Sequence, residues 1–280
     1  MRLLSFTMRF VPGIAYGFAL FPVFWYYTAK PVGRRAAETL FERLGNKGGP
    51  FAKWMFGFRQ AHMFSRIILD NMYLGLFGKK NFVIEERGTD VLLKELEKGK
   101  GLVMLSAHMG NWHLAVNFLS NTRTHVHLVM DDARQDEVRR QMDMAKSMSG
   151  HLTVHGAEKG AGLVFELSAA LRRNEVVIIA GDRTGKGGRQ MEAPFLGKTA
   201  FFPTAALLLA EAVGAPVCAA LTFREGARKY TCFGVGPLTA TGSSRNERIQ
   251  AMLEEFIGEI ETYLRRYPTQ WFNFFDFWKR

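Results

Sequence analysis

The sequence predicts an α/β domain: a mainly parallel sheet covered by helices, with a helical, membrane-associated N-terminal extension. Three observations carry this. From about residue 81, short apolar runs alternate with amphipathic segments, the pattern of strands joined by helices. Two of the runs, GLVMLSA (101–107) and EVVIIAG (175–181), are nearly all apolar, as strands buried on both faces are. And residues 10–29, FVPGIAYGFALFPVFWYYTA, contain no charge.

That apolar stretch is long enough to cross a bilayer. Pro12 and Pro22 interrupt it, and Phe24, Trp25, Tyr26 and Tyr27 cluster at its end. Trp and Tyr suit the membrane–water boundary. The following YYTAKPVGRR is a poor signal-peptidase site. A spanning anchor, an interfacial anchor and a greasy helix buried on the domain all fit. Residues 31–80 read as amphipathic helix, with Met63, Phe64, Ile67, Ile68 and Met72 at helical spacing. The expected organisation is a helical region over 1–80 and an α/β domain over 81–280, with no repeat and no linker.

Within the second region, FVIEER is a strand and VLLKELEKG a helix closed by Gly99. GLVMLSA is a strand, NWHLAVNFLS a helix, HVHLVM a strand and RQDEVRRQMDMAKSM a helix. LTVH, the helix GLVFELSAALRR and the strand EVVIIAG follow. Residues 182–202 read as a Gly-rich loop. TAALLLAEAVG is a helix closed by Gly214, PVCAALTF and YTCFGVG are adjacent strands, and a final helix runs over about 245–266.

Composition narrows the partners. A formal net charge of +11 points to an anionic partner: a membrane surface or an acidic protein. No zinc-finger, RNP or basic-zipper signature is present, so nucleic acid is not expected. Cys218 and Cys232 have no metal-ligand spacing and suit a reduced, cytosolic setting. No metal or cofactor is expected.

In α/β sheets ligands gather at the carboxyl ends of strands. LSAHMGNWHLA (105–115) places His108 at such an end. Gly110 lets the backbone approach closely, and Asn111 is a candidate helix N-cap. Backbone N–H groups near Gly110 and Asn111 would then face an anion or oxyanion. A second strand ends in Gly181-Asp182-Arg183, followed by the cations Lys186 and Arg189. This is no P-loop, because the spacing is wrong and the Ser/Thr is absent. His125 and His127 share a strand face and read as strand residues. Arg134, Arg139 and Arg140 face either an acidic protein or, as the better account, only solvent.

These motifs together resemble the bacterial lipid A biosynthesis (lauroyl/myristoyl) acyltransferases of the lysophospholipid-acyltransferase-like superfamily. The resemblance rests on the N-terminal apolar segment, SAHMGNW, GDR....R....FLG..A.FP..A..LA...GAPV and the terminal YPTQWFNFFDFW. It implies a glycerol-phosphate-acyltransferase-like fold on the cytoplasmic face of a bacterial inner membrane. It also implies transfer of an acyl group from an acyl carrier protein thioester to a hydroxyl or amine of a membrane lipid or glycolipid. His108 matches the family histidine, and Gly110 and Asn111 match its filler. Asp182 matches the aspartate of a second block. The chemistry agrees: a neutral imidazole can take the acceptor's proton near pH 7, and Arg183 and Arg189 can meet anionic groups. No Ser or Cys stands in a nucleophile motif, so direct transfer is the simpler mechanism. The terminal WFNFFDFW packs the core or walls the acyl site.

One position departs from the family. Five residues after its histidine the family has Asp or Glu, and here stands His113. In a first helical turn the dipole disfavours a second positive charge, so His113 would be neutral and could accept Nδ1–H of His108. Alternatively Asp182, Asp131 or Asp132 supplies the carboxylate, Asp182 being the best candidate. A third reading is a weak or inactive homologue that binds lipid or carrier without chemistry.

Overall fold

In the computed structural model the described residues are 17, 20–29, 31–114, 122, 124–130, 151–156, 160–184 and 188–279. Among the described residues three helices come first: α1 (Leu20–Ala29), α2 (Pro31–Arg43) and the long α3 (Pro50–Phe77). A 3₁₀ turn at Lys79–Asn81 leads to β1 (Val83–Arg87), α4 (Thr89–Glu97) and β2 (Leu102–Ser106). Then come β3 (Val126–Met130), β4 (Leu152–Gly156), α5 (Ala161–Arg172) and β5 (Val176–Ala180). The hairpin β6 (Gln190–Phe195) and β7 (Lys198–Pro203) precedes α6 (Ala205–Val213). β8 (Val217–Gly226), β9 (Lys229–Val235) and α7 (Arg245–Arg266) complete the order.

Seven strands form one sheet in the order β1-β9-β8-β2-β5-β3-β4. The five from β8 to β4 are mutually parallel. β9 returns antiparallel on β8, and β1 lies parallel to β9, so the sheet is mixed at that edge. β2 sits inside it with all five residues buried, as its unbroken apolar run requires. Alternate residues feed two cores. Val103, Leu105 and Val177 pack with Leu163, Leu207 and Phe256 from α5, α6 and α7. Leu102, Met104 and Ile178 pack on the other face with Leu74 of α3 and Leu92 of α4. Each such side chain contributes about 2 kcal/mol when fully buried.

Helix α7 shows how local sequence sets an element. Ser244 accepts from Glu247 N–H while the Glu247 carboxylate takes Ser244 N–H, a capping box that fixes the start. Ile249, Met252, Leu253, Phe256, Ile257, Ile260 and Leu264 then recur at helical spacing and are buried. In α3 the buried Asp70 accepts from Arg224 Nε at 2.8 Å and Tyr230 Oη at 2.6 Å, tying the helix to β8 and β9.

Two expectations change. The stretch 182–202 is not all loop, because 190–203 forms the hairpin. Its turn places Leu196 at φ +48 and Gly197 at φ +75, the left-handed pair that a two-residue hairpin turn demands. A Leu at the first position hides that signal in the sequence. The helix expected over 111–120 begins as a single 3₁₀ turn at 112–114, and 115–121 lie outside the described residues, as does the helix expected over 134–148. Among the described residues no helix is long and apolar enough to cross a membrane. Phe21 and Trp25 of α1 are 80% and 72% exposed. Residues 10–16, 18 and 19 of the apolar stretch lie outside the described residues.

Candidate active site

Ser106 of β2 and Ala180 of β5 are register partners in parallel strands. Two residues further along each chain stand His108 and Asp182. The parallel register therefore carries both side chains to the same carboxyl-terminal edge. His108 Nδ1 lies 2.7 Å from Asp182 Oδ1, and His108 N–H donates to Asp182 Oδ2 at 2.9 Å. Asp182 is buried, while the His108 side chain keeps 20% of its surface exposed. Gly181 prolongs the ladder by donating to Ser106 O at 2.7 Å, and a Cβ there would meet the Phe256 ring at 2.6 Å.

Burial alone would push the Asp182 carboxyl up. The charge and hydrogen bond of His108, the charge of Arg183 and the Trp271 N–H outweigh it and hold Asp182 down to about 2. The ionised carboxylate can only accept, so Nδ1 of His108 is the donor. The neutral ring then presents a lone pair on Nε2, which has no hydrogen-bond partner among the described residues.

Residues 270–273 supply the rest of the setting. Trp271 Nε1 donates to Asp182 Oδ2 at 3.0 Å and Asn273 Nδ2 donates to the same oxygen at 3.1 Å. Gly110 N–H donates to Gln270 O at 2.7 Å, Phe272 N–H donates to His108 O at 2.8 Å, and Met109 pairs with Trp271. The terminal segment thus runs antiparallel to 108–110 as a short strand. Gln270 clasps β8 from the other side, accepting from Arg224 N–H at 2.9 Å and donating to Arg224 O at 2.8 Å.

Residues 63–280 match the family of bacterial lipid A biosynthesis acyltransferases. The chain belongs to that family. Membership implies an acyltransferase of lipid biosynthesis. No curated protein matches the chain.

Within this acyltransferase frame the expected residues separate. His108 and Asp182 come together. His113 does not accept from His108, because Nδ1 of His108 is taken by Asp182. Its ring follows Trp112, whose centroid is 5.3 Å from that of His108 and 4.9 Å from that of His113. Desolvation, then the charge of His108, pushes His113 down to about 4, so it is neutral at neutral pH. The N–H groups expected to face an oxyanion are engaged elsewhere: Gly110 on Gln270 O, and Asn111 on Thr222 O at 2.8 Å. Gly110 sits at φ +50 with its Cβ position 1.9 Å from Thr222 O, so only glycine fits this crossing. The Asn111 side chain is fully buried and donates to Asn71 Oδ1 of α3 at 2.6 Å, which makes it a tether for the His108 loop rather than a helix cap.

Arg183 also turns inward. It donates to Phe272 O at 2.6 Å and to Asn273 Oδ1, and its guanidinium lies 5.6 Å from the Phe275 ring. Arg189 is exposed. Asp131, Asp132, Arg134, Arg139, Arg140 and Lys186 lie outside the described residues. His125 and His127 sit on β3 and its approach: His127 bonds His155 at 2.9 Å and Glu175 at 2.7 Å, and His125 bonds Thr153 at 2.7 Å. Among the described residues no group of three His, Cys, Asp or Glu side chains converges as a metal set.

Trp271 and Asn273 are the polar residues that sequence reasoning missed. The aromatic density of WFNFFDFW drew attention to packing, and Trp271, Phe272, Phe277 and Trp278 are indeed buried. The one available signal was a lone Asn between aromatics, since a buried amide needs partners.

Proposed function

We propose that this chain transfers an acyl group from an acyl carrier protein thioester to a hydroxyl or amine of a membrane lipid or glycolipid, at the cytoplasmic face of a bacterial inner membrane. The observation that carries the chemistry is the His108–Asp182 contact with Nε2 left open. Nε2 takes the acceptor's O–H or N–H proton as that atom attacks the thioester carbonyl. The oxyanion collapses, the C–S bond breaks, and the departing thiolate takes the proton back from the imidazolium. Asp182 fixes the ring and offsets its transient charge, as in other His–carboxylate pairs.

Direct transfer is favoured because neither cysteine offers a thiolate: burial first of all pushes Cys218 and Cys232 up to about 12. His113, neutral and close by, is a candidate N–H donor to the oxyanion, a task for which a neutral imidazole is suited. The exposure of Arg189 is consistent with its meeting anionic groups of carrier or acceptor. The exposed Phe21 and Trp25 and the net charge of +11 support contact with an anionic membrane surface.

The His at position 113 favours a second reading, a homologue that binds lipid or carrier without chemistry. The intact dyad weighs against it. Incubating the purified full chain with isotope-labelled acyl carrier protein thioester and a bacterial membrane extract decides. Acyltransfer predicts a new labelled lipid by mass spectrometry, absent with His108→Ala. Binding without any labelled lipid favours the second reading.

A further inference from the structure

We propose that Asn273, seconded by Trp271, is a positioning residue that aims the Asp182 carboxylate at His108, so that the C-terminal segment completes the site. This rests on His108 acting as the base.

Asp182 Oδ2 accepts three N–H groups, from His108, Trp271 and Asn273, at 2.9, 3.0 and 3.1 Å. A carboxylate has about four acceptor sites in all, so this oxygen is saturated and Oδ1 is left to His108 Nδ1. Two of the three donors come from 271–273. Without them, rotation about the Cβ–Cγ bond would let either oxygen turn away from the ring.

The Asn273 amide can face only one way. Arg183 Nε–H donates to its oxygen, which directs its NH₂ at Asp182. Arg183 also holds Phe272 O at 2.6 Å. The order is guanidinium, amide, carboxylate, imidazole, each donating to the next until the carboxylate accepts from both sides. Arg183 is therefore a brace for the terminal segment. Charge-assisted bonds of this kind are the strong ones, and a buried set fully satisfied keeps one geometry.

The test uses the full chain, a palmitoyl thioester of acyl carrier protein and bacterial membrane lipid. Asn273→Leu and the isosteric Asn273→Asp are compared with wild type, with His108→Ala and Asp182→Ala as references. Asn273→Leu is expected to lower kcat about tenfold or more with KM little changed. Trp271→Phe, which loses the N–H and keeps a ring, is expected to fall in the same direction. Asn273→Asp sets two carboxylates face to face, which share a proton at neutral pH. In Asn273→Asp that shared proton stands in for the lost amide N–H at Asp182 Oδ2, so turnover relative to wild type is expected to be best preserved at the acid end and to fall as pH rises and the proton leaves, a response that mere loss of packing does not give. Wild-type turnover in both Asn273 variants, or a loss in Asn273→Asp that is the same at every pH, overturns the positioning role. If Asn273→Leu does not fold, Asn273→Asp decides alone. Full turnover in His108→Ala and Asp182→Ala is a separate result and sinks the dyad itself.

Discussion

His108 and Asp182 stand level on neighbouring parallel strands, each two residues beyond a register pair, Ser106 and Ala180. That placement makes the 2.7 Å contact a property of the sheet rather than of a loop. Asp182→Asn keeps the volume and removes the charge. The amide can donate to Nδ1, which moves the ring proton to Nε2 and blocks the base. Initial rates at saturating donor should fall by about four orders of magnitude.

Acid stability should fall in two separable windows. His113 has its folded-state value depressed from 6.5 to about 4, so the unfolded chain binds more protons between those limits. Stability present above pH 6.5 is lost as pH falls toward 4, on the order of 3 kcal/mol. Asp182 is depressed from 3.8 to about 2, so its contribution, on the order of 2 kcal/mol, is present above pH 4 and is lost between about 4 and 2. Urea midpoints measured against pH should flatten in the upper window for His113→Gln and only in the lower one for Asp182→Asn.

Restoring the family's carboxylate should not help. His113→Glu places an acid where the family has one, but Nδ1 of His108 is already held by Asp182. The expected kcat is equal to or below wild type. A rise would show that position 113, not 182, sets the ring.

The Asp70–Arg224–Tyr230 set anchors α3 to the sheet, and all three side chains are buried. Asp70→Ala leaves the Arg224 charge buried without its carboxylate and should cost about 3–5 kcal/mol in denaturant unfolding. Tyr230→Phe removes one hydrogen bond to a charged group and should cost about 2 kcal/mol.

Much of this site was legible from sequence, for identifiable reasons. The apolar run of β2 and the final helix over about 245–266 are local patterns, and both fall where expected. His108 and Asp182 were legible as strand-end residues. Asp182 was the best carboxylate candidate for His108 on that ground, but the register that sets them level was not legible, because β2 and β5 are neighbours through the topology of the sheet and not through chain order. The hairpin at 190–203 alternates inward Ala193, Phe195, Ala200 and Phe202, yet Leu196 at a left-handed turn position disguised it. The roles expected for the Gly110 and Asn111 N–H groups failed for a related reason. Whether a backbone donor is free depends on what crosses it, and here Gln270 and Thr222 do. Trp271 and Asn273 lie about ninety residues from Asp182, beyond the reach of any local motif.

Turnover of His108→Ala, Asp182→Ala and the double variant, measured under one set of conditions, probes the dyad most directly. Two groups that act as one unit give a double variant no slower than His108→Ala alone. Losses that multiply across the two sites would contradict the claim that Asp182 works through His108.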